Sequence, residues 1–481
     1  MIDIFSSISL VYLINIALAV VVIFLERKDP TATLAWVLVL LVFPGFGFLL
    51  YLILARNFSS KKLFAMKIYT RKTFGEYIAI QQELFNSGKL VLNDKNTERF
   101  RDLIKMNLFY HGFSYTQNND VKIYTDGRDK FKELFEYMEK AENHIHVQYY
   151  IIRDDELGNR LFEMLKKKSS QGVEVRLLYD SVGGRKIAKE KIRELNDAGV
   201  KVAVFFSGRL PFLNFKVNYR NHRKIVVIDG RTAFIGGFNI GNEYLGLDSK
   251  IGYWRDTHLK ICGDAVLDLQ MRFFLDWSHT YHEELVFMPS YFPDSNNEGK
   301  VGIQIVSSGP DQPDENIKSS YVKMISSAKE SIIIQTPYFI PDSSVFEAIK
   351  IAAMSGVDVR IMIPCKPDHP FVYWATYWYC GGLLKYGVKV YTYEYGFLHA
   401  KTLVVDKTVS SAGTANFDMR SFKLNFESNA IIYDSHVSEM LYNIFMEDLY
   451  YSAQLTRELY LERGITVKFK ESVSRLLAPL L

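Results

Sequence analysis

Hydrophobic positions follow three regimes along this chain. The first is unbroken: residues 4–25 and 31–55 carry no charged side chain. At about 1.5 Å per residue each run reaches roughly 33–37 Å, enough to cross the hydrocarbon core of a bilayer. Glu26, Arg27, Lys28, Asp29 and Pro30 separate the runs, a tight charged turn. No basic residue precedes the first run and no small-residue cleavage site follows it, which argues against a removable secretory leader. Two transmembrane helices over 1–58 are expected. Arg56, Lys61, Lys62, Lys67, Arg71 and Lys72 follow the second run, against Arg27 and Lys28 in the turn. The positive-inside rule then places both termini and the body in the cytoplasm. The second regime, 59–115, is charged and helical in pattern and reads as a membrane-to-body connection.

From about residue 120 the third regime alternates apolar strands with amphipathic helices, the pattern of an α/β protein. It does so twice. His144-Ile-His-Val-Gln148, running on to Asp155, parallels Ser331-Ile-Ile-Ile-Gln335, running on to Asp342. Each leads into a helix (157–171, 343–355) and a second strand (172–178, 356–362). A repeat of this length predicts two similar lobes, 116–298 and 299–481, related by a pseudo-two-fold axis, each a mixed sheet flanked by helices. The polar stretch 293–300 marks the boundary between them.

Each copy ends in the same constellation. The first holds His222, Lys224 and Asp229, then Gly236-Gly237 and Asn239; the second holds His399, Lys401 and Asp406, then Gly413 and Asn416. Spacing is identical in both. In an extended strand residues two apart share a face, so each histidine and lysine should point together. Small residues let a neighbouring backbone approach, and Asn239 and Asn416 can offer amides to an anion. A phosphodiester repels anionic nucleophiles, which makes a neutral imidazole a sensible attacker. Lysines and asparagines can stabilise the equatorial oxygens, and a second imidazole can protonate the leaving alkoxide. No metal or cofactor is called for. Asp229 and Asp406 complete the catalytic motif, although their odd spacing turns them away from the histidines, towards a role in fixing a turn.

The duplicated motif resembles the phospholipase D superfamily, and the whole chain is similar to the bacterial cardiolipin synthases of that type. The resemblance takes in Pro30, Ala35-Trp36, Gln148-Tyr-Tyr, Asn221-His222, Tyr253-Trp-Arg-Asp256, Thr336-Pro-Tyr-Phe-Ile-Pro341, 364–375, Phe397-Leu-His399 and Asn425-Phe-Glu427. Asn242 and Thr336 depart from the usual pattern without touching a histidine or lysine. The resemblance implies a phosphatidyltransferase: one phosphatidylglycerol donates its phosphatidyl group to another, giving cardiolipin and glycerol through a phosphatidyl-histidine. It favours His222 as nucleophile and His399 as acid and base. It also places acids at Asp256 and Glu427, candidates for orienting a histidine through its second nitrogen.

Composition narrows the alternatives. A net charge of +4 lacks the sustained basic surface of a nucleic-acid enzyme. A catalytically dead scaffold would have no reason to keep both His-Lys pairs in register. A hydrolytic phospholipase D differs only in letting water take the intermediate. Cys262, Cys365 and Cys380 have neither zinc nor disulfide spacing and read as free thiols. Among 30 Tyr and 34 Phe, an apolar and basic stretch, 207–220, and an aromatic one, 371–379, are candidates for the headgroup zone or for ordinary packing. The segment 467–481 is amphipathic, with Lys468, Lys470 and Arg475 set against Val473, Leu476 and Leu477, and either lies on the membrane or packs on the second lobe.

Overall fold

The computed structural model describes residues 2–25, 30–48, 51, 68–206, 218–281, 288–294, 297–312 and 314–477. Two compact units result: 1–59 with 206–219, and 60–205 with 220–481. In the first, α1 (Ile2–Leu25) and α2 (Pro30–Val42) share a small core of Ala19, Val22, Trp36, Leu40 and Tyr51. The Asn15 amide donates to Leu40 O at 2.6 Å, tying the two helices. The single second helix expected over 31–55 is interrupted. Pro44 cannot extend a helix and Gly45 takes a left-handed φ of 76°, so the chain turns at 43–45 and is helical again at 46–48. Among the described residues no helix is long and apolar enough to cross a membrane; the side chains of 1–11 lie outside that set. So do residues 207–217, which hold most of the apolar and basic stretch.

The second unit is built on one sheet. The first half contributes β1 (Thr116–Tyr124), β2 (His144–Tyr149), β3 (Glu174–Asp180), β4 (Lys201–Phe205), β5 (Ile225–Ile228), β6 (Thr232–Gly236) and β7 (His258–Cys262). The second contributes β8 (Val301–Ser308), β9 (Ser331–Gln335), β10 (Asp358–Pro364), β11 (Lys389–Tyr393), β12 (Thr402–Val405), β13 (Val409–Gly413), β14 (Asn425–Tyr433) and β15 (Ser452–Leu455). Spatial order runs β15-β11-β10-β9-β12-β13-β14-β8-β1-β7-β6-β5-β2-β3-β4. The order reads the same outward from the centre on both sides, with β15 added at one edge. The pseudo-two-fold therefore passes between β1 and β8, which pair antiparallel with Asn119 opposite Val301. In each half three parallel strands (β2-β3-β4, β9-β10-β11) meet an antiparallel set at the strand that follows the histidine motif. The two expected lobes are thus halves of one continuous sheet.

Helices cover the faces: α3 (Ile68–Asn86), α4 (Arg101–Phe109), α5 (Gly127–Glu139), α6 (Glu156–Ser170), α7 (Lys189–Asp197), α8 (Ala265–Tyr281), α9 (Asn316–Ser326), α10 (Ser343–Met354), α11 (Pro370–Leu384), α12 (Met419–Lys423), α13 (Ser435–Asp448), α14 (Arg457–Glu462) and α15 (Ile465–Leu477). The connecting region is more than a tether. Leu92, Phe100, Leu103 and Ile104 are buried in the same core as Ile332, Ile334 and Leu403 of the second half.

The repeated glutamines and aspartates have matching duties. Asp155 and Asp342 cap α6 and α10, accepting from Gly158 N at 3.0 Å and Val345 N at 3.1 Å. Gln148 and Gln335 each donate at 2.7 Å to a buried aspartate late in a later helix, Asp276 of α8 or Asp448 of α13. An arginine completes each group, from different places. Arg223, in the first histidine motif, meets Asp276 at 2.7 Å, whereas Asp448 receives Arg255 at 2.8 Å from the opposite half. Arg223 and Asp276 are fully buried, and Arg223 also donates to Ser308 O and Glu427 O across the axis. Removing one partner of a buried pair strands the other charge, at about 3–5 kcal/mol. Asp276→Asn, which also strands Arg272 at 2.7 Å, is expected to lower the unfolding free energy in denaturant by that order; an unchanged value would show that Asp311, 3.9 Å from Arg272, carries the compensation.

Candidate active site

Both histidines sit where the chain changes partner. The dipeptide Arg220–Asn221 pairs in parallel with Asn425 and Phe426 of the other half, and His222 N donates to Phe426 O at 2.9 Å. Only from Ile225 does the chain join its own half, beside β2. The second motif repeats the manoeuvre: Phe397–Leu398 pairs with Trp254–Arg255, His399 N donates to Arg255 O at 2.7 Å, and β12 begins at Thr402. The expected uninterrupted strand through His-x-Lys is therefore broken at the motif, because the chain on its two sides pairs with opposite halves.

This crossing brings the acids in from the far side. His222 Nδ1 lies 3.0 Å from the Glu427 carboxylate, and His399 Nδ1 lies 2.5 Å from Asp256 Oδ2. A carboxylate only accepts here, so Nδ1 carries the proton and Nε2 is left with its lone pair. Glu427 is held by Thr414 Oγ1 at 2.5 Å, Ser421 Oγ at 3.0 Å and Asn425 Nδ2 at 3.2 Å. Asp256 accepts from Thr257 N at 2.7 Å. Burial would raise both acids. His222 and Lys224 keep Glu427 below its ordinary range instead, and Lys401 with His399 does the same for Asp256. Burial, reinforced by the lysines, pushes both imidazoles down, His399 to about 4.

Lys224 and Lys401 are buried behind the histidines. Each ammonium turns back to the carbonyl of its own motif histidine, Lys224 Nζ at 2.6 Å from His222 O. Burial pushes them down to about 7 and about 8 respectively, and Lys401 depresses Lys224 further. Asn239 and Asn416 line the same cavity. Asn239 Oδ1 accepts from Ile151 N at 3.1 Å, while Asn416 Oδ1 is buried and meets no partner among the described residues.

Asp229 and Asp406 are not at the histidines. Each occupies a left-handed backbone position, at φ 53° and 51°, at the opposite end of its strand. Each carboxylate gathers three backbone N–H groups, from Glu142, Asn143 and His144 or from Lys329, Glu330 and Ser331. They fix the turns that anchor β2 and β9, which removes them from the reacting set. The glycines act as expected. A Cβ on Gly237 would lie 1.9 Å from Asp256 Oδ1, and one on Gly413 would lie 2.5 Å from Asn429 Cα.

His222 and His399 open onto one cavity of 740 Å³. Sequence reasoning missed much of its wall: Arg153, Arg220, Lys366, Arg420, Tyr338 and Asp418. One signal was available. Counting four residues on from Asn239 and Asn416 gives Glu243 and Arg420, both on the wall and opposite in charge. The cavity is thus symmetric in its histidines and asymmetric in its polar lining. Burial raises Asp418 to about 6.

A family described as the PLD-like domain of cardiolipin synthase matches residues 134–254 and 321–449, one match in each half. The N-terminal family of phospholipase D-nuclease proteins matches 13–56. The cardiolipin synthase of Oceanobacillus iheyensis is 51% identical over 98% of both chains. The major cardiolipin synthase ClsA of Bacillus subtilis is 50% identical, again over 98% of each. Among solved structures, a phosphatidylserine synthase of Haemophilus influenzae superposes at a TM-score of 0.61 and 16% identity, covering 80% of this chain and all of that one, a likeness of fold. With both halves matched and half its residues shared along nearly its full length, the chain belongs to the cardiolipin synthase family of the phospholipase D type.

Proposed function

We infer that this protein is a cardiolipin synthase, a phosphatidyltransferase that joins two phosphatidylglycerol molecules and releases glycerol. One observation carries the reading: two imidazoles, each oriented by a buried carboxylate from the opposite half, face one cavity backed by two buried lysines. Full-length relatives named for that reaction support transfer to a lipid hydroxyl over hydrolysis.

In the proposed cycle His222 Nε2 attacks phosphorus and the P–O bond to the departing glycerol breaks. His399 gives its Nε2 proton to that oxygen. A second phosphatidylglycerol then yields its hydroxyl proton to His399 and attacks, the P–N bond breaks, and cardiolipin leaves. Asp256 and Glu427 hold the rings and stabilise their charged forms. Lys224, Lys401, Asn239 and Asn416 meet the phosphoryl oxygens. Ligand-free His399 is neutral, so its proton comes with the anionic substrate, whose charge offsets the burial that depresses the ring. We place the apolar runs 4–25 and 31–55 in the bacterial cell membrane, with the body on the cytoplasmic face, from their lack of charge and the basic residues that follow them. The 13–56 match supports an N-terminal module of its own family.

Purified protein with phosphatidylglycerol vesicles is expected to yield cardiolipin and glycerol, and His222→Ala or His399→Ala to abolish both. Phosphatidic acid as the product would make the enzyme a hydrolase. Mass spectrometry of acid-quenched protein should find the phosphatidyl adduct on the His222 peptide; an adduct on His399 reverses the two roles. Asp256→Asn is expected to cut turnover by about 10²-fold or more, and Gly237→Ala to do so by displacing the same carboxylate. Full activity in Asp256→Asn would remove it from the positioning role. Finally, tungstate binding at pH 8 should take up protons, because an anion raises lysines that burial holds near 7 and 8. Calorimetry in two buffers of different ionisation enthalpy reads this; zero uptake would mean that both ammoniums are charged beforehand.

A further inference from the structure

The C-terminal helix wears its polarity inside out. On α15, Glu471 and Ser474 are each 1% exposed, whereas Ile465, Phe469 and Leu476 are 83%, 69% and 72% exposed. The buried glutamate is fully engaged, meeting Arg463 at 2.7 Å and Tyr460 Oη at 3.3 Å. Positions 465, 469 and 476 fall on one stripe at helical spacing. A surface helix of a globular protein turns such a stripe to the core. The flank of α15 explains why it does not. Lys470 lies 5.1 Å over the Trp374 ring and Arg475 4.8 Å over Trp378, so cation–π contacts to α11 fix the helix with its apolar stripe outward. Trp374 and Trp378, the sequence's candidates for lipid contact, are half-covered by these cations; the open apolar surface belongs to α15.

α11 ties this stripe to the cavity. The helix starts at Pro370, His369 and Val372 line the cavity wall, and Phe371 between them is 53% exposed. Lys468 is exposed next to Phe469. Apolar side chains outward, a cation beside them and a substrate cavity on the supporting helix fit one occupant, an anionic phospholipid surface. We propose that α15 is a bilayer-docking face: Ile465, Phe469 and Leu476 enter the acyl boundary, Lys468 meets anionic headgroups, and α11 thereby holds the cavity mouth at the lipid. Only the identity of the lipid substrate rests on the synthase reading; the docking does not.

The test uses the full chain with Cys262→Ser and Cys365→Ser, leaving buried Cys380 in place, in vesicles of equal parts phosphatidylcholine and phosphatidylglycerol. A nitroxide on Phe469→Cys should lose access to a water-soluble nickel chelate and gain access to oxygen, relative to one on Glu142→Cys. Glu142 is exposed at the end of β2 away from the cavity. Equal nickel access at both sites overturns the proposal. Protection from both reagents with spin–spin broadening also overturns it, in favour of a second copy of the chain. Phe469→Ser with Leu476→Ser should lower cardiolipin formation in vesicles about tenfold and leave turnover of monomeric dihexanoyl phosphatidylglycerol within twofold. Equal loss on both substrates would make the stripe a fold element and overturn docking. A wild type inert on both would sink the synthase reading alone, with the nitroxide result still deciding the docking.

Discussion

Everything at this site depends on the exchange of strand partners at the two histidines. Each imidazole is oriented by a carboxylate from the other half, Glu427 for His222 and Asp256 for His399. Neither half can make a competent histidine by itself. The exchange also explains why two lysines are tolerated in the interior. Their ammoniums are desolvated and mutually repelling, and Asp256 and Glu427 are the compensating charges. Six titratable groups, two each of imidazole, ammonium and carboxylate, thus form one coupled electrostatic unit that is close to neutral before an anion enters and draws protons in with it.

Around that unit the pseudo-symmetry is strict where geometry matters and loose elsewhere. Asp229 and Asp406 make the same turn with the same three N–H groups and the same left-handed backbone. The arginine beside each buried aspartate is different. In one half it is Arg255, in the other Arg223, whose guanidinium lies 5.3 Å over Phe426, the residue equivalent to Arg255. What the fold requires is a cation in that slot, whichever strand supplies it.

The parts of this molecule written as period and offset were legible in the sequence. The strand-helix-strand repeat, the two histidine motifs and the glycines beside them all follow from spacing, and the structure places them accordingly. The acids at Asp256 and Glu427 were found through the resemblance, but their crosswise attachment was not. Chain pairing across a symmetry axis leaves no local trace, because Arg220–Asn221 looks like the start of its own strand. The break at 43–45 is readable from Pro44-Gly45, which a count of uncharged positions does not register. For α15 the amphipathic pattern was visible, but which face looked outward depended on Tyr460, Trp374 and Trp378, far from it in type and partly in sequence.

The antiparallel seam between β1 and β8 sets a condition on symmetry. A single half cut at that seam would expose an unpaired edge and an unheld histidine, and a copy of itself would cure both at once. Such a pair of identical halves would need every residue near the axis to be compatible with its own image. One chain that holds both halves is free of that demand. Arg223 stands where the other half has Ala400, and Glu243 where it has Arg420, so the two sides of the axis are not images of each other, and the last of these pairs gives one cavity an acidic and a basic flank.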